Sequence, residues 1–528
     1  MSFAPEGFRG RIVTVEVDVR NGIPGTDIVG LAGAAVREAR ERVRAAIRNA
    51  GLRYPRDRVL INLGPADVPK AGNRFDLGIA AGILEVTGQG SLGVDQKVMA
   101  LGELALDGTV RPAHGVISAV VAGKAMGLHA FVVPLENVRE AEAVGGVRVC
   151  GLGQLSQWPL IGEQLASKHV SLCEENGFGV HVPKPDLSEM RGNARVKRSL
   201  EIASAGGHHL MLAGPPGSGK TMSAMVLPGL LPPLTRSHAL EVTRIHSTAG
   251  EHECFQGLQW TPPFRNPHHS ASVQGMVGGG REVRPGEISL AHRGILFLDE
   301  LPEFRPGVLQ ALREPLESGY VRISRAGTLY TYPANFQLVV AANLCPCGNL
   351  GRNTGQCMCS LNEIQRYWRR VGRALLDRID LRCPVHPLDS NAFLGRRGES
   401  SSEVRSRVYR AQQYRRSRRE AEGAPNSVVR EEAHSAAIPD LPAHCPDLSS
   451  EYLRRRLSDS ARRVLSTVSE KLGMSGRAMD SVLRVARTIC DLEGVEVVHR
   501  AAVLEAVQHR RLGERESVWQ DWQSVEQE

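Results

Sequence analysis

"HLMLAGPPGSGKTMSAMVL", His209 to Leu227, is a short apolar run, a Gly-rich turn and a Lys-Thr pair that opens a second apolar run. Within it, Gly214 to Thr221 reads GPPGSGKT, the spacing G-x-x-x-x-G-K-[ST]. Chemistry accounts for the residue types. Gly217 and Gly219 let backbone N–H groups close around phosphate oxygens, and the helix that follows points its positive end at them. Lys220 is placed to bridge the outer phosphates and Thr221 to ligate Mg²⁺. Pro215, Pro216 and Ser218 complete the same loop. HHLMLA before the turn reads as a strand and TMSAMVLPGLL after it as a helix. The expectation is an α/β domain with a parallel sheet that binds a nucleotide.

Two further strands point the same way. GILFLDE, Gly294 to Glu300, is an apolar run ending in two carboxylates. A buried parallel strand delivers such acids at its C-terminal edge. Asp299 is expected to hold Mg²⁺ through water and Glu300 to polarise the attacking water. FQLVVAAN, Phe336 to Asn343, ends in a polar Asn that either orients the lytic water or makes a strand-end turn. In LLDRIDL, Arg378 stands between Asp377 and Asp380. It can reach a neighbouring subunit's γ-phosphate or form a surface ion pair, and the spacing leaves both readings open.

The 528 residues exceed one ordinary core. We expect residues 1–170 as a first α/β domain, 171–186 as a linker and 187–385 as the nucleotide domain. A basic helical connector over 386–440, a helical domain over 441–512 and a fraying tail over 513–528 follow. In the first domain RIVTVEVDV reads as a strand. AAVREARERVRAAIRNAG reads as an amphipathic helix with Val36, Ala39, Val43 and Ile47 on one face, stopped by Gly51. RVLINLGP and FVVP read as strands, and GELALDGTVRP as a hairpin turning at Asp107-Gly108. No run of apolar residues is long enough for a membrane span, and the N-terminus has no signal-peptide pattern, so a cytoplasmic protein is expected. The net charge of +8 permits a polyanionic partner without proving one.

With the phosphate loop, the acidic strand, the Asn343 strand and Arg378 in this order, the chain resembles an AAA+ ATPase. It is similar to one branch, the magnesium-chelatase-like ComM (YifB) family. FRNPHHSAS (Phe264 to Ser272), RPGEISLAHRGILFLDELPEF (Arg284 to Phe304) and GRAMDSVLRVART near the C-terminus carry that resemblance, with GLAGAAVREARERVRAAI and GELALDGTVRP in the first domain. The resemblance implies three parts: a domain similar to the Lon-protease C-terminal fold, an AAA+ core and an α-helical lid. It also implies hexameric rings with ATP sites between subunits, and a DNA motor that drives branch migration of recombination intermediates during natural transformation. By resemblance Asn343 is sensor 1, Arg378 the arginine finger and Arg484 sensor 2, with Arg477 as the alternative. A Lon-like protease needs a Ser activated by Lys. GPADVPKAGNRFDLGIAAG contains no Ser, ISAVVAG lacks the Lys, Lys124 comes late and Lys70 has no partner, so proteolysis is not expected.

Cys345, Cys347, Cys357 and Cys359 form C-x-C, nine residues, C-x-C. Four thiols flanking a Gly-rich loop can make a tetrahedral Zn²⁺ site, although C-x-C has less freedom to chelate than C-x₂-C. Reduced thiols or a redox-labile pair are the alternatives. His268 and His269 read as polar contacts rather than a metal pair with Glu287. VRISRAGTLYTYPANF reads as a hairpin turning near Ala326-Gly327, with Arg322 and Arg325 before the turn and Tyr330 and Tyr332 after it. Arg for phosphates and Tyr for stacking suit single-stranded or branched DNA, and a solvated hairpin is the alternative. IQRYWRRVGRALLDR and VRSRVYRAQQYRRSRRE are Arg-dense, with DNA contact set against a solvated helix face. The function expected is a DNA-translocating ATPase using ATP and Mg²⁺. The alternative is a chelatase-like motor that remodels a protein partner.

Overall fold

The computed structural model describes residues 1–30, 33–68, 70, 72–90, 97–168, 170, 185–251, 257–280, 282–325, 327–352, 356–387, 397–421 and 450–513. Most of the expected linker, parts of the 386–440 connector, Ala326 of the hairpin turn and the tail with Trp519 and Trp522 lie outside the described residues.

A five-stranded sheet organises the centre of the chain. Its spatial order is Phe264–Arg265, Ile295–Leu298, Gln337–Ala342, Leu210–Ala213 and Leu381–Pro384, and every pair is parallel. LMLA, ILFL and QLVVAA are buried throughout, which is why they read as continuous apolar runs rather than alternations. The alternation survives as a division between two faces. Leu210, Leu212, Val339 and Ala341 pack with the helices Ala194–Gly206 and Gly476–Glu493. Met211, Leu296, Leu298 and Val340 pack with Leu301, Phe304 and Trp368. Full burial of each of the Leu, Val, Met and Phe side chains contributes roughly 1.5–3 kcal/mol.

The C-terminal part is helical, in Ser450–Arg455, Asp459–Leu472, Gly476–Glu493 and Arg500–Arg510. Ser458, Ser475 and His499 cap three of these helices by accepting backbone N–H bonds. Gly473 and Gly494 end two of them in the left-handed conformation. Two buried arginines fasten this unit to the sheet. Arg510 donates to the Ile379 and Asp377 carbonyls, and Arg382 to that of Leu512.

The first 170 residues supply a four-stranded sheet and a three-stranded parallel sheet. Arg9–Arg20 lies antiparallel between Ser2–Glu6 and Arg58–Gly64. Val36, Ala39, Val43 and Ile47 are buried on one face of Ala34–Asn49, as their spacing predicts. Glu103–Leu104 and Val110–Arg111 form the expected hairpin. The helix Arg236–Ala249 then ties this part to the core. Gly115 donates to the Ser247 carbonyl at 3.2 Å and Arg236 to that of Val144 at 3.0 Å. Phe8, at the tip of the first two strands, is buried with Ile245, Leu290 and Tyr332. Its ring lies 4.0 Å from the Arg244 guanidinium, and its N–H donates to the Thr331 carbonyl at 3.0 Å.

One expectation needs correcting. Ser401–Ala421 is not simply a solvated helix. Val404, Val408 and Ala411 are buried in the main core, and a stripe of three apolar residues is hard to see among so many arginines. Arg407 is paired with Glu201 and Glu399, and Arg418 with Asp491, so these two cations are engaged within the chain.

Candidate nucleotide site

The sheet order puts the ends of the Leu210–Ala213, Gln337–Ala342 and Ile295–Leu298 strands side by side, and Gly214, Asn343 and Asp299 follow directly on them. The Lys220 ammonium curls over the loop. It donates to the Gly214 and Pro215 carbonyls, each at 2.8 Å, and to Asn343 Oδ1 at 3.1 Å. Burial pushes it down to about 8, against the pull of Asp299 and Glu300. Gly217 and Gly219 have φ of 81° and 93°, which explains the glycines in the loop. Helix Lys220–Leu230 starts at Gly219 with no side-chain cap, leaving its first N–H groups for an anion. The Ser218 hydroxyl is buried with no hydrogen-bond partner among the described residues.

The Thr221 hydroxyl donates to Asp299 Oδ2 at 2.8 Å. The two residues expected to hold Mg²⁺ therefore stand side by side, with oxygen donors of the kind that ion takes. Glu300 adopts left-handed φ of 52°, a strained conformation for a non-glycine residue. Its Oε2 stands 3.5 Å from His269 Nδ1, and the His269 ring packs edge-on to Phe304. Sequence reading placed His269 among polar contacts but had no means of aiming it at Glu300. Glu287 is taken by Arg265 at 2.7 and 2.9 Å, away from the His268-His269 pair.

Three arginines lie toward the opposite, N-terminal end of the strands. Arg378 precedes Leu381–Pro384 and is bonded to Glu317 and the Ala374 carbonyl. Arg477 reaches the same Glu317 at 3.0 Å and is half exposed. Arg484 is not brought to the phosphate loop of its own chain. It pairs at 3.1 Å with buried Asp380, which Ser481 also contacts, and Leu381, next to Asp380, is in register with Leu210 at the far end of the loop strand. The desolvated Asp380 carboxylate claims this guanidinium, a demand the helical spacing could not reveal.

The expected hairpin is present as Tyr320–Arg325 and Thr328–Pro333. Its four candidate residues do not form one face. Arg322 is exposed and pairs across to Thr331, whereas Arg325 shares the other face with Tyr330. Tyr332 is corrected outright: its ring is buried and its hydroxyl donates to the Val283 carbonyl at 2.9 Å, so it is not open for base stacking. Exposed Leu329 lies near the tip instead. The sulfurs of Cys345, Cys347, Cys357 and Cys359 all lie within 4.8 Å of one another, an arrangement that could hold a metal ion. Lys70 donates to the Pro65 carbonyl and Lys124 to that of Gly145.

A parallel sheet in this order, with its phosphate loop on an inner strand and an acidic pair on the next strand but one, defines an AAA+ core of the magnesium-chelatase type. Residues 186–393 match the family described as magnesium chelatase, subunit ChlI. Residues 15–137 match subunit ChlI of Mg-chelatase, and 398–510 the C-terminal part of that subunit. The chain is 41% identical over 520 residues to an uncharacterized protein of Mycobacterium tuberculosis, covering 97% of this chain and 98% of that one. It is 38% identical over 525 residues to competence protein ComM of Haemophilus influenzae, covering 97% of each. Against YifB of Escherichia coli it is 38% identical over 516 residues, 95% of this chain and 94% of that one. The chain belongs to the ComM/YifB family of magnesium-chelatase-like ATPases, a membership that carries ATP and Mg²⁺ with it. No helix among the described residues is long and apolar enough to cross a membrane.

Proposed function

We propose that the protein is an ATP-hydrolysing ring motor that acts on single-stranded or branched DNA and promotes branch migration in recombination or natural transformation. The observation that carries the reading is the separation of parts. Lys220, Thr221, Asp299, Glu300 and Asn343 meet beyond the C-terminal ends of the inner strands, while Arg378 precedes the N-terminal end of Leu381–Pro384. An arginine so placed completes a site only on a neighbouring copy, which favours a closed ring, taken here as a hexamer. Arg477, beside Arg378 on Glu317, fits a second trans-acting cation better than Arg484 does.

In this reading Gly214, Pro215, Pro216, Gly217, Ser218 and Gly219 wrap the phosphates of ATP, and Lys220 exchanges its loop carbonyls for phosphate oxygens. Thr221 and Asp299 hold Mg²⁺, which when bound neutralises charge on the outer phosphates. Glu300 accepts a proton from the attacking water, and the Asn343 amide aligns that water. Residues 1–170 are taken as a non-proteolytic Lon-like domain, 187–385 as the ATPase core, 386–440 as a connector and 441–512 as the lid. Arg322 and Arg325 are the hairpin residues offered to DNA phosphates. One relative is named a competence protein, which suggests the setting.

A second reading is a motor for a protein partner, favoured by the match of the core to the chelatase subunit. The test is ATP hydrolysis without DNA, with single strands and with a four-way junction, using Lys220→Ala as the blank. The motor reading expects DNA to raise the rate several-fold and the variant to be silent. A robust rate indifferent to every DNA form would transfer support to the protein-partner reading. Hydrolysis surviving in Lys220→Ala would remove the nucleotide-site assignment.

A further inference from the structure

The phosphate loop has an unexpected neighbour. Gly348, in the turn after Cys345 and Cys347, lies so close to Pro216 that a Cβ added there would stand 3.0 Å from Pro216 Cγ. Its φ of 73° also favours glycine. The same turn begins two residues after Asn343, whose amide oxygen receives Lys220. The cysteine loop therefore touches the nucleotide loop at Pro216 and is joined by chain to a second residue of that site.

The four sulfurs have the spacing of one coordination sphere. Cys345 and Cys347 are 3.4 Å apart, Cys345 and Cys357 3.6 Å, and Cys347 and Cys357 3.7 Å. A disulfide needs about 2.05 Å, so none of these three pairs is bonded. Zn–S bonds of about 2.3 Å place the corners of a tetrahedron about 3.8 Å apart. The surroundings hold the ligands in place. Cys345 is buried in the apolar cluster that also packs Cys357 and Cys359, and the Leu350 N–H donates to its sulfur at 3.4 Å. Trp368 Nε1 donates to the neighbouring Leu344 carbonyl at 3.1 Å. Outer contacts of this kind orient metal ligands.

We propose that Cys345, Cys347, Cys357 and Cys359 bind one zinc ion as thiolates, and that this metal-tied loop is a wall that fixes the phosphate loop through Gly348 and Pro216. The bracing half rests on the nucleotide reading above; the metal half does not. Binding converts four thiols to four thiolates and releases four protons, with no redox step. The ion adds metal–sulfur bonds that tie the C-x-C pair before the turn to the pair after it, and so anchors the wall behind Pro216.

The experiment uses the full chain, purified without chelator. Metal content is measured by plasma mass spectrometry, with cobalt replacement as a spectroscopic check for tetrahedral thiolate coordination. Affinity for a fluorescent ATP analogue is measured alongside. About one zinc per chain is expected, lost in Cys357→Ser/Cys359→Ser with far-UV circular dichroism unchanged, and nucleotide affinity should fall about tenfold, the usual scale of a lost supporting shell. Gly348→Ala is the second variant: it should keep its zinc and still weaken nucleotide binding, because its new methyl group presses on Pro216. Substoichiometric metal in the wild type would overturn the site. A zinc-free variant that binds the analogue as tightly as wild type would overturn the bracing. Wild-type protein that holds zinc but binds no nucleotide would sink the nucleotide reading and with it the bracing, while upholding the metal site.

Discussion

Glu317, half exposed, receives two guanidinium groups, from Arg378 and Arg477. The half-exposed Arg477 pair contributes about 0–1 kcal/mol, and the Arg378 side chain is only 13% exposed, so stability alone gives little reason for a second guanidinium to converge on Glu317. A trans-acting arginine has a different signature. Arg378→Ala should lower kcat about a thousandfold while leaving nucleotide affinity unchanged, and Glu317→Gln should stay within a few-fold of wild type. Steady-state hydrolysis and analogue binding on both variants check this; unchanged kcat in Arg378→Ala would reduce it to the surface pair. The residues around the phosphate loop were legible in the sequence because motif spacing reports backbone geometry: Asp299 and Asn343 follow directly on strands, and Lys220 and Thr221 open the helix after the glycine turn. Tyr332 and Arg484 were not. Alternation separates the two faces of a hairpin without saying which is covered, and a helical period cannot show that a buried Asp380 waits across the interface.

At the scale of the element, part of the polar side of the helix Arg236–Ala249 is engaged inside the molecule. Glu241 accepts from His292 at 3.1 Å and from Arg293 at 3.0 Å. Burial works against the Glu241 carboxylate, but His292 and Arg293 hold it at about 2. Burial likewise pushes His292 down to about 4, so its ring is neutral at pH 7. The sign follows from the depressed carboxylate. Its contribution is fully present above the unfolded value near 4.5 and is lost as pH falls toward 2, with a size of about 3 kcal/mol. Glu241→Gln should therefore melt below wild type at pH 7, and the gap should narrow as the pH is lowered to about 3.5. Thermal melts across that range test it; a gap constant with pH would mean that the ionised carboxylate is not the stabilising form. Such engagement also hid the stripe Val404, Val408 and Ala411, since charge density in a helix does not distinguish groups paired inside the molecule from groups facing water.

At the scale of the whole molecule, the division into an α/β first part, a parallel-sheet core and a helical C-terminal part could be read from changes in pattern along the chain. The joints could not, because their residues are far apart in sequence. Phe8 illustrates this: it meets Ile245, Leu290 and Tyr332 in one small apolar cluster under the Arg244 guanidinium. Truncating a buried Phe costs about 3–5 kcal/mol, so Phe8→Ala should lower and broaden the thermal transition of the full chain. Leu329→Ala, at the 60% exposed tip of the hairpin that Phe8 docks on, should change it little. Differential scanning calorimetry of the two variants gives the comparison, and equal transitions would show the joint to be energetically idle.

The docking of Phe8 also determines how this chain can be divided at the bench. A cut after Ser167 looks like the natural place to separate the first part from the rest, since the helix Ile161–Ser167 ends there. The covalent border and the physical border do not coincide. A piece beginning beyond that cut would carry Ile245, Leu290 and Tyr332 with their cover removed, and Arg244 with no ring above it. Such a piece presents a sticky patch at the root of its hairpin, so clumping or stray binding by a trimmed preparation would report the missing Phe8 rather than the behaviour of the intact protein.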